Sequence, residues 1–252
     1  MAASTLPGVD ALEADEVEPA VAEITAGLAG LGTPERAAGA KAYLTSDYEF
    51  LGVRTPDGRP VFLGWLRRAQ PDTATLLAVA DRLWQSNVFE LKWGATELLV
   101  ARAKQLDPDV LATIEAMVRG AGTWALVDPL AYNAAGTIFG IHPEAAAATV
   151  DRWAEDESFW VRRLAVLCLS RPVRTGVVPF STLAGVADRL IDEREFFVRK
   201  AIGWVFRDVA KVDPDAVTGF LRPRMGRVSG VTWREARKPL PTLVVADLEA
   251  RR

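Results

Sequence analysis

The chain has 252 residues, half of them hydrophobic, and a formal net charge of −3, which is enough apolar material for one domain or a short repeat array. No apolar run reaches the roughly 18 residues needed to span a bilayer, and the first residues lack the basic and apolar regions of a secretory signal. A single cysteine, Cys168, and a single histidine, His142, exclude an intramolecular disulfide and argue against a metal site built on those residue types. We therefore expect a cytoplasmic protein that needs no metal or cofactor.

In chain order, an acidic and aperiodic segment (residues 1–20) comes first and predicts a flexible tail or a loose first helix. From residue 21 to 252, apolar-periodic segments rich in Ala, Leu, Glu and Arg follow one another without strand-like alternation. Short breaks with Pro, Gly or Asp separate them: TPDGRP (55–60), QPDT (70–73), LDPD (106–109), IHPE (141–144), RPVRTG (171–176) and VDPD (212–215). This pattern predicts a single all-α domain of antiparallel helix pairs over residues 21–252.

An internal repeat makes the prediction more specific. Four similar segments begin with an aromatic residue, carry an aliphatic residue at the third position, and start 35, 35 and 37 residues apart. They are FELKWGATELL from Phe89, WALVDPLAYNA from Trp124, FWVRRLAVLCL from Phe159 and FFVRKAIGWVF from Phe196. This period is typical of a HEAT-like α-solenoid, in which equivalent positions of successive repeats line one face, usually the concave one.

The fifth position of the repeat is polar in three of the four segments. It reads Trp93, Asp128, Arg163 and Lys200 in order, inside otherwise apolar helices. Trp124 and Trp204 lie one helical turn from Asp128 and Lys200 on the same face. Either this face is a functional surface, or Asp128 and Arg163 form a buried ion pair with the tryptophans as core, and the periodicity favours neither.

The charge is divided unevenly along the chain. Residues 1–158 contain 12 Lys and Arg against 23 Asp and Glu, whereas residues 159–238 contain 16 against 8. A local basic surface matters more for phosphate binding than the sum over the chain. The second half is therefore the candidate for contact with a nucleic acid.

Several segments resemble the AlkD-type DNA alkylation-repair glycosylases, in order and with matching spacing over roughly residues 35–240. They are YLTSDYEFLGVRTPDGR (43–59), TWALVDPL (123–130), FWVRRLAVL (159–167), EFFVRKAIGWVFRDVAKVDPDAV (195–217) and SGVTWREARK (229–238). The long 195–217 segment makes the resemblance specific. Two departures stand out: Gly122-Thr123-Trp124 replaces the family's Ser-Trp-Trp, so its first tryptophan is absent, and Pro129 directly follows Asp128.

The resemblance implies site residues position by position. It assigns the catalytic carboxylate to Asp128, the active-site tryptophans to Trp124 and Trp204, and the cleft tyrosine to Tyr43. It also assigns the active-site arginine to Arg163 and a further arginine to Arg207. With these two arginines, the basic residues of the second half form the predicted phosphate-contact set: Arg163, Arg199, Lys200, Arg207, Arg234 and Arg237.

The resemblance further implies hydrolysis of the N-glycosidic bond of N3- or N7-alkylated purines in duplex DNA, by a monofunctional enzyme acting as a monomer. Such a cationic base is already a good leaving group, so one carboxylate suffices to stabilise the sugar cation and orient a water. Two alternatives remain. A lysine near C1′, such as Lys200, could make the enzyme a lyase, or the chain could be a non-catalytic HEAT-like module that binds DNA structure or a protein. The lesion spectrum, from methyl groups to bulky natural-product adducts, stays open.

Overall fold

The computed structural model describes residues 6–7 and 14–251. In this part of the chain there is no strand, only a single β-bridge between Glu49 and Val88. The predicted all-α class is confirmed. Among the described residues, no helix is long and apolar enough to cross a membrane. The chain divides into two compact units, Met1–Leu130 and Ala131–Arg252; the single domain over residues 21–252 stays a prediction.

The first unit contains α1 (Ala14–Leu28), α2 (Pro34–Leu44), α3 (Thr55–Ala69), α4 (Thr73–Trp84), α5 (Phe89–Arg102), a 3₁₀ turn (Ala103–Gln105), α6 (Val110–Gly120) and α7 (Trp124–Asp128). Helix α5 packs on α3 and α4, and α1 packs on the same two helices. Helix α1 overlaps the end of the N-terminal segment predicted as a tail or loose helix, while residues 1–5 and 8–13 of that segment lie outside the described residues.

The second unit contains α8 (Gly136–Ile141), α9 (Pro143–Trp153), α10 (Phe159–Leu167), α11 (Ser170–Arg174), α12 (Phe180–Arg189), α13 (Phe196–Val209), α14 (Pro214–Leu221), a 3₁₀ turn (Arg222–Arg224), α15 (Gly230–Ala236) and α16 (Thr242–Glu249). Helix α13 packs on α10 and α15. Gly203 allows α13 to approach α15 closely, because a Cβ there would lie 2.6 Å from the carbonyl oxygen of Thr232.

Cys168 is fully buried, and burial raises the pKa of its thiol. A buried thiol with a raised pKa is typical of a structural cysteine.

All four aromatic repeat starts are first residues of helices: Phe89 of α5, Trp124 of α7, Phe159 of α10 and Phe196 of α13. Most predicted breaks also fall between helices; Asp72, for example, caps α4 by accepting a hydrogen bond from the Thr75 amide at 2.8 Å. Two breaks are wrong: the first four residues of RPVRTG lie in α11, and TPDGRP forms the start of α3. Pro56 occupies the first turn, where an amide hydrogen has no partner in the helix, so a proline is tolerated there.

A buried carboxylate holds the loop before α3. The backbone amides of Leu51, Gly52 and Val53 donate to the Glu90 carboxylate at 2.9, 2.7 and 3.1 Å, and Glu90 is only 2% exposed. Gly52 has φ +76°, and a Cβ there would lie 2.4 Å from the Thr33 carbonyl oxygen. The Leu-Gly-Val run (51–53) belongs to the segment 43–59 of the family resemblance, which we call the N-terminal signature. This run is therefore a loop fixed through its backbone.

Lys92 of α5 is a buried cation. Its Nζ lies 4.5 Å from the ring centroid of Trp84 and 5.3 Å from that of Tyr48, and it donates a hydrogen bond to the Trp84 carbonyl. Burial lowers the pKa of this amine to about 8.

This depressed pKa predicts how stability depends on pH. The unfolded chain keeps the ordinary value of 10.5 and binds the proton more tightly, so burial of the charged amine costs stability in full below pH 8. That cost disappears as pH rises from 8 to 10.5. We expect the free energy of unfolding of the wild type to rise by about 2 kcal/mol relative to Lys92→Met over this range, measured by urea denaturation. The exposed Lys104, changed to Met, should show no such trend; a constant difference for Lys92→Met would contradict the prediction.

Candidate functional site

The candidate catalytic residues Trp124 and Asp128 are the two ends of the short helix α7. The helix begins after Gly122, whose φ is +60°, and Thr123 caps it by accepting a hydrogen bond from the Ala125 amide at 3.4 Å. Because the two residues lie four apart, their side chains share one face of α7. Both are half-buried, so each keeps part of its surface accessible.

Pro129 changes the helix immediately after Asp128. The α-helical pattern ends at Asp128, and Pro129–Ala135 forms a π-helix before α8 begins. A proline has no amide hydrogen to continue the α-helical hydrogen bonds, and π-helical turns are often found at functional sites. The departure noted in the sequence thus places the candidate carboxylate at a change of helix type.

The cleft tyrosine of the resemblance meets the first tryptophan. The Tyr43 and Trp124 rings lie edge to face, with centroids 6.1 Å apart and planes at 84°. Tyr43 is 75% exposed. The N-terminal signature and α7 therefore contribute neighbouring aromatic groups within the first unit.

Sequence reasoning missed a second tyrosine that positions α7. The Tyr48 hydroxyl lies 3.1 Å from the carbonyl oxygens of both Gly120 and Ala121, directly before the turn at Gly122. Burial raises the pKa of this hydroxyl, so it stays protonated as a donor. The only signal in the sequence was its place inside the 43–59 signature.

Removing that hydroxyl should loosen the start of α7. We expect Tyr48→Phe to lower the free energy of unfolding by about 1 kcal/mol, since carbonyl oxygens lose their donor. Hydrogen exchange at the amides of residues 121–125 should accelerate several-fold. As a matched control, Tyr132→Phe should change neither quantity, because no hydrogen bond of that hydroxyl is found among the described residues. Unchanged exchange in Tyr48→Phe would show that other contacts fix α7.

Trp204 of α13 has a defined orientation in the second unit. Its ring stacks on Tyr132, with centroids 5.6 Å apart and planes at 14°, and its Nε1 donates to the Asp208 carboxylate at 2.9 Å. Lys211 donates to the other oxygen of Asp208, also at 2.9 Å. Stacking on the ring face and the hydrogen bond from the ring nitrogen thus fix the orientation of the indole.

The eight tryptophans separate by exposure. Six are buried, and the two that are only half-buried are Trp124 and Trp204. Trp93 of the first repeat is one of the buried six: it packs on Phe62 and donates to Glu97 at 2.9 Å. Its place at the fifth repeat position is therefore a core position, unlike those of Asp128 and Lys200.

Two of the predicted phosphate-contact arginines make hydrogen bonds to the protein backbone. Arg163 is 3% exposed, donates to the carbonyl of Phe197 and lies 5.9 Å from that ring's centroid. Arg199 is half-buried and donates to the carbonyl of Glu193. Contact of these residues with DNA stays a prediction, as does the meeting of Asp128 with Arg163 and Lys200 on one face.

Two of the remaining predicted cations, Lys200 and Arg207, act on Glu235 of α15, together with Lys238. Lys238 donates to the Glu235 carboxylate at 2.7 Å and Arg207 pairs with the same oxygen; with Lys200 nearby, these cations lower the carboxyl pKa, the Lys238 hydrogen bond most of all. Arg237 pairs with Glu249 at 2.7 Å.

Lys200 and Arg234 are exposed, and neither has an ion pair within residues 6–7 and 14–251. These two side chains are therefore the most accessible cations of the predicted set.

Within the same described residues, no group of three or more His, Cys, Asp or Glu side chains could hold a metal ion.

Residues 24–240 match the sequence model of the DNA alkylation repair enzyme family, and the chain belongs to that family. Its fold is similar to a predicted DNA alkylation repair enzyme from Enterococcus faecalis, with a TM-score of 0.77 and 22% identity over 85% of this chain and 99% of that one. It is also similar to smu.31 from Streptococcus mutans UA159, with a TM-score of 0.56 and 20% identity over 71% and 90% of the two chains. Among curated proteins, none is significantly similar in sequence.

Proposed function

We propose that this member of the DNA alkylation repair enzyme family is a monofunctional DNA glycosylase for cationic N3- and N7-alkylated purines in duplex DNA. The observation that carries the proposal is the half-buried pair of Trp124 and Asp128 on one face of α7, beside the exposed ring of Tyr43. An indole face attracts a cation, and a carboxylate stabilises one.

The proposed reaction needs one carboxylate and a water. As the bond between C1′ and the purine nitrogen breaks, its electron pair neutralises the alkylated base, which leaves uncharged. Positive charge develops on the deoxyribose and is stabilised by Asp128. The water oxygen bonds to C1′, and its proton passes to the carboxylate and then to solvent. The cationic lesion supplies the activation, so the proposal needs neither a general acid nor a metal.

The tryptophans would flank the cationic nucleotide. A cation over an indole face gains roughly 0.5–2 kcal/mol, depending on how far both are removed from water. Trp204 offers one face, since the other stacks on Tyr132. By family resemblance we propose that the lesion is not drawn into a deep pocket. A site without such a pocket would admit bulky adducts. The protein would act as a monomer in the cytoplasm, associated with the nucleoid when on DNA.

Base release tests the proposal directly. The purified protein is incubated with a duplex containing one N7-methylguanine, and free base is measured by mass spectrometry beside the unmodified duplex. We expect release from the methylated duplex alone. Absence of release from methyl, pyridyloxobutyl-sized and larger adducts, together with tight binding to bent or branched DNA, would instead identify a non-catalytic binding module.

The same incubations distinguish a hydrolytic glycosylase from a lyase. A lyase would form a Schiff base between Lys200 and C1′, which borohydride reduces to a stable protein–DNA crosslink. We expect base release without a crosslink, leaving an abasic strand that breaks only on later treatment with alkali. A crosslink that disappears in Lys200→Ala would establish the lyase instead.

A further inference from the structure

The second unit contains a cleft of about 660 Å³ between α13, α15 and α16. Phe196, Val231, Leu240 and Val245 give it an apolar wall, and Phe196 is 50% exposed. A cleft of this volume is typical of sites for small ligands and is too small to admit a duplex.

Cations surround this apolar wall. Lys200, Arg234, Arg237 and Lys238 line the cleft, whereas the only carboxylate among its lining residues, Glu235, is already paired with Arg207 and Lys238. Lys200 and Arg234 have no ion pair among the described residues, and Lys200 Nζ lies 5.8 Å from the Phe196 ring centroid. The cleft therefore favours a ligand with both an anionic group and an apolar face.

Part of the cleft lies outside the region that defines the family. The family match ends at residue 240, but Thr242 and Val245 of α16 also line the cleft. The site is thus completed by a helix of this chain that the family match does not include.

We propose that this cleft binds an unpaired nucleotide of a DNA strand. The flat base lies against the apolar wall of Phe196 and Val245, and the phosphate contacts Lys200 and Arg234. Cations that follow the backbone, beside an apolar or aromatic face for the base, are the usual combination in proteins that bind single strands. The inference rests on the proposed action on DNA, and it adds a contact for frayed, gapped or single-stranded ends next to a duplex.

The test compares two undamaged DNA molecules, a short blunt duplex and the same duplex with a three-nucleotide extension. Dissociation constants are measured by fluorescence anisotropy at one fixed salt concentration. We expect the extension to tighten binding about five- to tenfold. In Arg234→Ala and in Val245→Glu, the ratio of the two constants should fall to about one. Arg67→Ala, which removes an exposed arginine that does not line the cleft, should keep the wild-type ratio.

Three outcomes would overturn the proposal. The first is equal binding of both DNA molecules by the wild type, and the second is an undiminished effect of the extension in both cleft variants. The third is displacement of the extended DNA by pentaglutamate as effectively as by a thymidine pentanucleotide, which would show attraction of any anion rather than binding of a nucleotide. Because the DNA is undamaged and the ratio is also measured in Asp128→Asn, failure of base release and failure of this site are distinguishable.

Discussion

Asp128→Asn is expected to lower the rate of base release from an N7-methylguanine duplex by at least about 100-fold. The substitution keeps the shape of the side chain and removes the negative charge that, in the proposed mechanism, stabilises the sugar cation. DNA affinity should stay the same or rise slightly, because a charge that repels phosphates is lost. Single-turnover release and anisotropy on the same substrate measure the two effects separately.

Asp107→Asn is the matched control, because Asp107 is an exposed aspartate outside the candidate site. It should release the base at the wild-type rate. Equal release by Asp128→Asn and the wild type would remove Asp128 from the reaction, even if the protein proved to be a glycosylase.

The largest expected effect on stability comes from Glu90. Glu90→Ala leaves the amides of residues 51–53 without their acceptor, and the one at Gly52 is in a buried position. Hydrogen bonds to a charged group contribute more than neutral ones, and unsatisfied buried donors are costly. We expect the free energy of unfolding to fall by about 3–5 kcal/mol in urea denaturation.

The exposed Glu49 provides the comparison for this prediction. Glu49→Ala, close to the same loop, should change the free energy of unfolding by less than about 0.5 kcal/mol. If Glu90→Ala were equally mild, the loop would be held by packing around Gly52 and not by the carboxylate.

The sequence predicted those features of the fold that repeat or are local. Aromatic residues at Phe89, Trp124, Phe159 and Phe196 recur with one spacing, and each begins a helix. The spacing of Trp124 and Asp128 also sufficed to place both on one face of a helix. A local pattern can predict such features because helix geometry depends on neighbours three and four residues away.

Features that depend on distant partners were not predicted. The Glu90 carboxylate accepts hydrogen bonds from amides that lie 37 to 39 residues away in the sequence. Tyr48 and its partners Gly120 and Ala121 are more than seventy residues apart. The burial of Arg163 against the Phe197 carbonyl likewise depends on helix packing. For Arg163 the sequence left two possibilities open, a functional residue or a buried ion pair with Asp128, and for Glu90 and Tyr48 it predicted no role.

The uneven exposure of the tryptophans gives the protein an optical probe of its own. A collisional quencher such as iodide or acrylamide reaches Trp124 and Trp204 before the six buried indoles. The quenchable part of the intrinsic fluorescence therefore comes mainly from the two candidate site residues. DNA that covers them should protect this emission from the quencher, so occupancy can be followed without a label on either molecule.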